Sequence, residues 1–325
     1  MFKISRLRPW LIAPVLLVAA AQALAQGAPT YPNKPIRIIV PFAAGISPDV
    51  VARILGDKLA QTWGQPVVID NKPGASGMIG AEAAAKSAPD GYTLLMSVTA
   101  IMSMNPHIYS KMGYDPLKDF KPVSHILNVP FVVIAAPNKP LSSMADLISA
   151  AKKDPGAIDY ASLGAGSHSH VAVEWLMNQT GIKLNHVPYK ASPSADVMSG
   201  MVSLYFDPIV TAIPLVAAQK VKALAISTLQ RSPALPNVPA ISETVPGFDT
   251  YAFQGIYAPA GTPDAIINKL NAELVRIVRL PDVQKKLTDF GYLPVGSSVE
   301  AFKKLGEEDH ARYGKVIRDN GIRLD

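Results

Sequence analysis

Three glycine-bearing segments each follow an apolar run and precede an amphipathic one. They are Pro41-Phe42-Ala43-Ala44-Gly45-Ile46-Ser47-Pro48-Asp49, Asn71-Lys72-Pro73-Gly74-Ala75-Ser76-Gly77 and Ser162-Leu163-Gly164-Ala165-Gly166-Ser167-His168. A turn of this kind opens a helix whose first N–H groups have no intrahelical acceptor, and the helix adds a partial positive charge there. Such a site suits an anion. In open α/β sheets, ligands collect beyond the carboxyl ends of the strands, where these turns fall. The first and third turns lie in different halves of the chain and could grip one carboxylate from two sides. They would serve equally as plain connections, and spacing alone leaves both readings open.

Other chemistries fit less well. Gly164-Ala165-Gly166 begins a dinucleotide fingerprint, but Ser169 stands where the third glycine belongs, and Gly74, Gly77 and Gly80 have the wrong spacing. No cofactor is expected. His168 and His170 open a helix two residues apart, so they point to different faces, and no HExxH motif accompanies them; no metal is expected. A G-x-S-x-G elbow is missing. An exported hydrolase using Ser167 or Asp49 remains the alternative to a binding protein. In the first turn, Ser47 is expected to cap the helix and Pro48 to be its first residue. The donors would then be the N–H groups of Ala44, Gly45, Ile46 and Asp49. The Asp49 side chain would repel a bare carboxylate, so it is expected to act through water or a neutralising ligand group.

The elements around these turns alternate between short apolar runs and helical periodicity, the pattern of an α/β protein with a mostly parallel sheet. Strands are expected at Ile36–Pro41, Val67–Asp70, Thr93–Met96, Phe131–Ala136, Tyr160–Ser162, Leu204–Phe206 and Ala223–Ser227. Helices are expected after Ser47, over Gly77–Ser87, from a cap at Ser142 to Lys153, and over His168–Thr180, ended by Gly181. Four prolines fall within 231–247, which reads as a linker. Beyond Thr262-Pro263 the chain reads as helical and as packing on the first lobe. A crossover near His125–Phe131 and a proline-rich return imply a hinge with a cleft.

The N-terminus carries Lys3, Arg6 and Arg8, then an apolar stretch over Leu11–Ala21, then Ala23-Leu24-Ala25. That is the form of an export signal cleaved before Gln26. The chain of 325 residues is 49% hydrophobic and 17% charged, which suits two globular domains. Its formal charge of +6 falls to +3 once the three cations of the leader are gone. No basic cluster points to nucleic acid. With no cysteine there is no disulfide and no lipid-bearing thiol, so a soluble periplasmic protein is expected.

Several ordered motifs resemble the Bug family, the substrate-binding receptors of tripartite tricarboxylate transporters. They run from Tyr31-Pro32-x-Lys34-Pro35-Ile36-Arg37-Ile38-Ile39-Val40-Pro41-Phe42 through Asp49-x-x-Ala52-Arg53, Asn71-x-Pro73-Gly74-Ala75-x-Gly77 and Pro89-Asp90-Gly91-Tyr92-Thr93-Leu94. Asn105-Pro106-x-x-Tyr109, Gly164-x-Gly166-Ser167-x-x-His170, Val187-Pro188-Tyr189-Lys190 and Ala258-Pro259-Ala260-Gly261-Thr262-Pro263 continue the match, which spans the mature chain. The resemblance implies a two-lobed periplasmic-binding-protein-like α/β fold with a ligand cleft between the lobes. Residues 26–124 would begin lobe 1, 125–245 would form lobe 2, and 246–325 would return to lobe 1, after a leader of 1–25. It implies a small organic carboxylate held by Phe42 to Asp49 and by Gly164, Ala165, Gly166, Ser167 and His168, with Thr99 and Asp207 at the variable end of the cleft. It also implies delivery to membrane permease subunits or to a sensor domain, by a monomer that is not an enzyme. Two positions depart from the pattern: Ile46 and Ala191 stand where the family has glycine. If that glycine used positive φ, Ile46 would force the loop into a new shape, because β-branched residues disfavour that region; alternatively it narrows the pocket.

Overall fold

The run Ile-Arg-Ile-Ile-Val of Ile36–Val40 forms β1, buried except at Arg37, as a strand covered on both faces must be. The computed structural model describes residues 31–324, so the expected leader and its cleavage before Gln26 lie outside the described residues. β1 pairs in parallel with β2 (Val67–Asn71) and β3 (Thr93–Val98). On the far side of β3 the pairing becomes antiparallel, through β10 (Ala252–Pro259), β4 (Phe120–Val129) and β11 (Leu293–Pro294). The second sheet runs β7 (Asn185–Pro188), β6 (Asp159–Ser162), β8 (Leu204–Pro208), β5 (Phe131–Ala135), β9 (Lys222–Ile226). Here β6 is parallel to its neighbours and β5 antiparallel to both of its own. The expected mostly parallel sheet is therefore two mixed sheets.

The helices are α1 (Ser47–Trp63), α2 (Met78–Ala85), α3 (Asn105–Ile108), α4 (Met144–Lys153), α5 (His168–Thr180), α6 (Ser194–Ser199), α7 (Ile209–Ala217), α8 (Asp264–Val278), α9 (Pro281–Asp289) and α10 (Val299–Asp319). α1 buries Val51, Ala52, Leu55 and Leu59 against the first sheet, the stripe that helical periodicity predicts. Its N-cap is Ile46, not Ser47, and no side chain caps it. The Ser47 hydroxyl instead accepts from the Gln254 amide at 2.6 Å. α4 is capped by Ser143 rather than Ser142: Ser143 accepts the Asp146 N–H at 3.0 Å while Asp146 accepts the Ser142 N–H at 3.1 Å. α5 spans the residues expected and ends at Gly181.

The chain changes sheet at Pro130, between β4 and β5, within the expected crossover. It returns between β9 and β10. Ser227 ties the two crossings together. Its hydroxyl accepts the Phe131 N–H at 2.9 Å and donates to the Thr250 carbonyl at 2.5 Å. Its own backbone bonds Phe131 and Thr250 as well. α10 does not pack on the first lobe alone. Tyr313, Val316 and Ile317 share a buried cluster with Met104 and Ile108 from one side and Val171 of α5 from the other. Among the described residues no helix is long and apolar enough to cross a membrane.

Candidate functional site

The first turn is shaped by Asp49, which is buried. Asp49 Oδ2 accepts the Gly45 N–H at 2.8 Å and Arg53 Nε–H at 3.0 Å; Oδ1 accepts from Arg53 Nη2 and Asn71 Nδ2, each at 2.9 Å. Asn71 also donates to the Phe42 carbonyl at 3.0 Å, fixing the other end of the loop. Burial alone would raise the Asp49 pKa, but the bonds from Arg53, Gly45 and Asn71 together hold it below the ordinary carboxylate range. The carboxylate is thus spent on holding the turn. Of the expected donors, Gly45 N–H goes to Asp49 and Asp49 N–H to the Ile46 carbonyl at 2.9 Å. The N–H groups of Ala44, Ile46 and Ser47 have no acceptor among the described residues. Gly45 takes the positive φ of +86°, and Ile46 sits at φ −89°, ψ 167°. Ile46 therefore takes an extended backbone, and the left-handed residue of this turn is Gly45.

The third turn repeats this construction with a different side chain. Gly166, at φ +75°, donates its N–H to His170 Nδ1 at 3.1 Å. In each lobe, the third residue of the helix takes the N–H of the glycine four places before it. His170 stacks on His186 at 4.0 Å and faces Glu174 at 3.4 Å. His186 Nε2 meets the Ser162 hydroxyl at 2.6 Å, and that hydroxyl accepts the Gly164 N–H at 3.1 Å. Burial, and then the neighbouring His170, push the His186 pKa down to about 4. Ser167 caps α5.

These turns meet a cavity of about 290 Å³ between the lobes. Phe42, Val98, Ala100 and Ala252 line it from the first sheet's side, with the hydroxyls of Ser76 and Tyr109 and the amide of Asn105. Leu163, Ala165, Gly166, Ser167 and His168 line it from the other. No lysine, arginine, aspartate or glutamate stands in this lining. The structure thus brings Phe42 together with Ala165 to His168. Ala43 to Ile46 are exposed and outside the lining, and Gly164 is outside it too. Thr99 turns away between two lining residues, its hydroxyl accepting the Phe253 N–H at 2.8 Å. Asp207 is fully buried outside the lining, accepting from the Thr211 hydroxyl through Oδ1. Burial, opposed by that bond, raises its pKa to about 7.

Sequence reasoning missed Ser76, Asn105 and Tyr109 as wall residues. Ser76 occupies the left-handed region at φ 54°, unusual for serine, and its hydroxyl is 2.7 Å from that of Tyr109. Asn105 Nδ2 bonds the Ser76 carbonyl at 3.1 Å. The motif segments Asn71–Gly77 and Asn105–Tyr109 pointed to this wall without assigning it.

The hydroxyl of Ser167 donates to the Gly164 carbonyl at 2.6 Å and lies 3.1 Å from the Ser169 hydroxyl. The nearby imidazoles are engaged elsewhere: His168 Nε2 with Thr250 at 3.1 Å and His170 Nδ1 with Gly166 at 3.1 Å. A serine nucleophile needs a base on its hydroxyl, and that contact is not made here.

Compared with known families, residues 51–322 match the model of the tripartite tricarboxylate transporter family receptor. The chain belongs to this family. The receptor is 34% identical to protein BugT of Bordetella pertussis over 314 residues, covering 95% of this chain and 96% of that one. Among solved structures, R. palustris Rpa4515 with adipate is 35% identical, with a TM-score of 0.79 over 90% of this chain and 100% of that one. MatC from Rhodopseudomonas palustris with bound malate is 32% identical, with a TM-score of 0.74 over 88% of this chain and 100% of that one. The two-lobed α/β fold is that of a periplasmic binding protein.

Proposed function

We propose that this receptor captures a small carboxylate in the periplasm and presents it to the membrane subunits of a tripartite tricarboxylate transporter, catalysing nothing itself. One observation carries the reading. Two turns of matched construction, one from each lobe, flank a cavity whose lining holds no charged aspartate, glutamate, lysine or arginine. An anion there is stabilised by the N-terminus of α5, which opens at Ser167 and His168 in that lining, rather than by a cationic side chain. The apolar part of the lining suits a hydrocarbon body, as in the adipate and malate of the relatives.

The test is a thermal-shift and calorimetry panel of malonate, succinate, malate, adipate, citrate and benzoate. Stabilisation should follow mass action, reaching about 2.7 kcal/mol at a hundredfold excess over Kd. The acid should be recovered unchanged. A panel in which no acid stabilises the protein, or turnover of the matching esters or amides, overturns the proposal. For location, mass spectrometry of the periplasmic fraction should find a chain starting at Gln26; a membrane species retaining Met1 would refute it.

A further inference from the structure

His168 occupies one of the positions that the Gly164-x-Gly166-Ser167-x-x-His170 motif leaves open. It is the first residue of α5 and part of the cavity wall. Its ring is clamped by residues of both crossings and of the bridging helix. It stacks on Phe131 at 4.6 Å with an interplanar angle of 3°, meets Tyr313 edge-on at 5.6 Å, and places Nε2 3.1 Å from the Thr250 hydroxyl. The Thr250 hydroxyl is in turn 2.9 Å from that of Tyr313. Nδ1 is buried with no partner among the described residues.

Counting protons favours one direction for this chain, the one that leaves the fewest buried groups unpaired. Tyr313 is fully buried, and Thr250 is the hydrogen-bond partner of its hydroxyl. A buried phenol left without an acceptor is costly, so Tyr313 donates to Thr250. Thr250 has a single proton, which then goes to His168 Nε2. Burial, and then Arg312, lower the His168 pKa to about 3, so the ring is neutral. A neutral imidazole accepting at Nε2 carries its hydrogen at Nδ1. The one unpartnered ring atom is therefore a donor.

We propose that His168 Nδ1–H is a hinge-controlled donor to the ligand carboxylate, directly or through one water. Nδ1 is sheltered in this conformation, and the ring is held by Phe131 and Thr250, the residues that Ser227 joins. Exposing the donor to the cavity thus requires the crossings to move. The contact links ligand capture to lobe rotation, and it deepens the carboxylate-receptor reading on which it rests.

Two measurements test it. In protein labelled with ¹⁵N-histidine, long-range proton–nitrogen correlation should show His168 as the Nδ1–H tautomer, free and with the tightest acid of the panel above. The acid should shift the Nδ1 resonance. Tyr313→Phe, which deletes the proton that sets the relay, should mix the tautomers. His168→Phe keeps the aromatic stack but removes both nitrogens, and should raise Kd about 10-fold or more, as loss of a hydrogen bond to a charged group does. An Nε2–H tautomer in the wild type overturns the proposal without any variant. So does a folded His168→Phe with unchanged Kd, while binding itself, and the receptor reading, would stand. A wild type that binds no acid of the panel overturns both.

Discussion

Asp49 reaches back over its own helix N-terminus to accept the N–H of Gly45 at 2.8 Å. The bond makes the carboxylate part of the turn's framework. Asp49→Ala strands Gly45, Arg53 and Asn71 together. Half of the Arg53 side chain is exposed, so solvent offsets part of that loss. We expect about 1–3 kcal/mol of lost stability and a weaker ligand affinity, measured by denaturant unfolding and calorimetry. Because the native pKa of Asp49 is depressed, its contribution is present above the unfolded carboxylate pKa and is lost as pH falls through the native one. The gap between wild type and variant should therefore narrow in acid.

Asp207 behaves in the opposite sense. Its pKa is raised to about 7, and Oδ2 is buried without a partner among the described residues. A raised carboxyl pKa favours the native state at low pH, and that advantage is lost as pH rises toward 7. Asp207→Asn keeps an acceptor for Thr211 and removes the charge. It should stabilise the protein by roughly 1–3 kcal/mol at pH 8 and by little at pH 4. Equal destabilisation at both values would show that the carboxylate has a partner.

Ile46 offers a negative test. The residue is 45% exposed, its φ is −89°, and it lies outside the cavity lining. Ile46→Gly should leave the range of bound acids unchanged and cost about 0.5–1 kcal/mol of stability through added backbone freedom. A broadened range on the acid panel would make Ile46 a steric filter after all.

Closure is measurable directly. Two crossings joined at Ser227 should let the lobes rotate as bodies around a bound ligand. Solution scattering should give a smaller radius of gyration with saturating ligand than without it. Superimposable profiles would argue against the hinge.

Local signals carried much of this architecture. β1 was legible from its β-branched run, and α5 from its apolar spacing and closing glycine. Two adjacent strands of the first sheet, β4 and β10, were not. β4 reads Phe-Lys-Pro-Val-Ser-His-Ile-Leu-Asn-Val, with a proline and polar residues inside it, and it pairs with β10 through register shifts. Its partner is remote in sequence, and no local pattern announces such a pairing. The turns were visible as glycine-bearing connections, yet their fastening was not. Asp49 read as a residue for the ligand, and only the fold shows Gly45, Arg53 and Asn71 using up its oxygens. The Ser76 and Tyr109 wall depends on a left-handed serine, which sequence does not announce.

Ser227 has a wider implication. One hydroxyl serves both crossings, so neither strand can slide without dragging the other. The two crossings then act as one strap between the lobes, so that a change at either is felt at the other. A docking partner that straddles both lobes need only gauge the span between two surface points to tell loaded from empty. It can do so without touching the cargo, and one docking surface could then serve receptors that carry different acids.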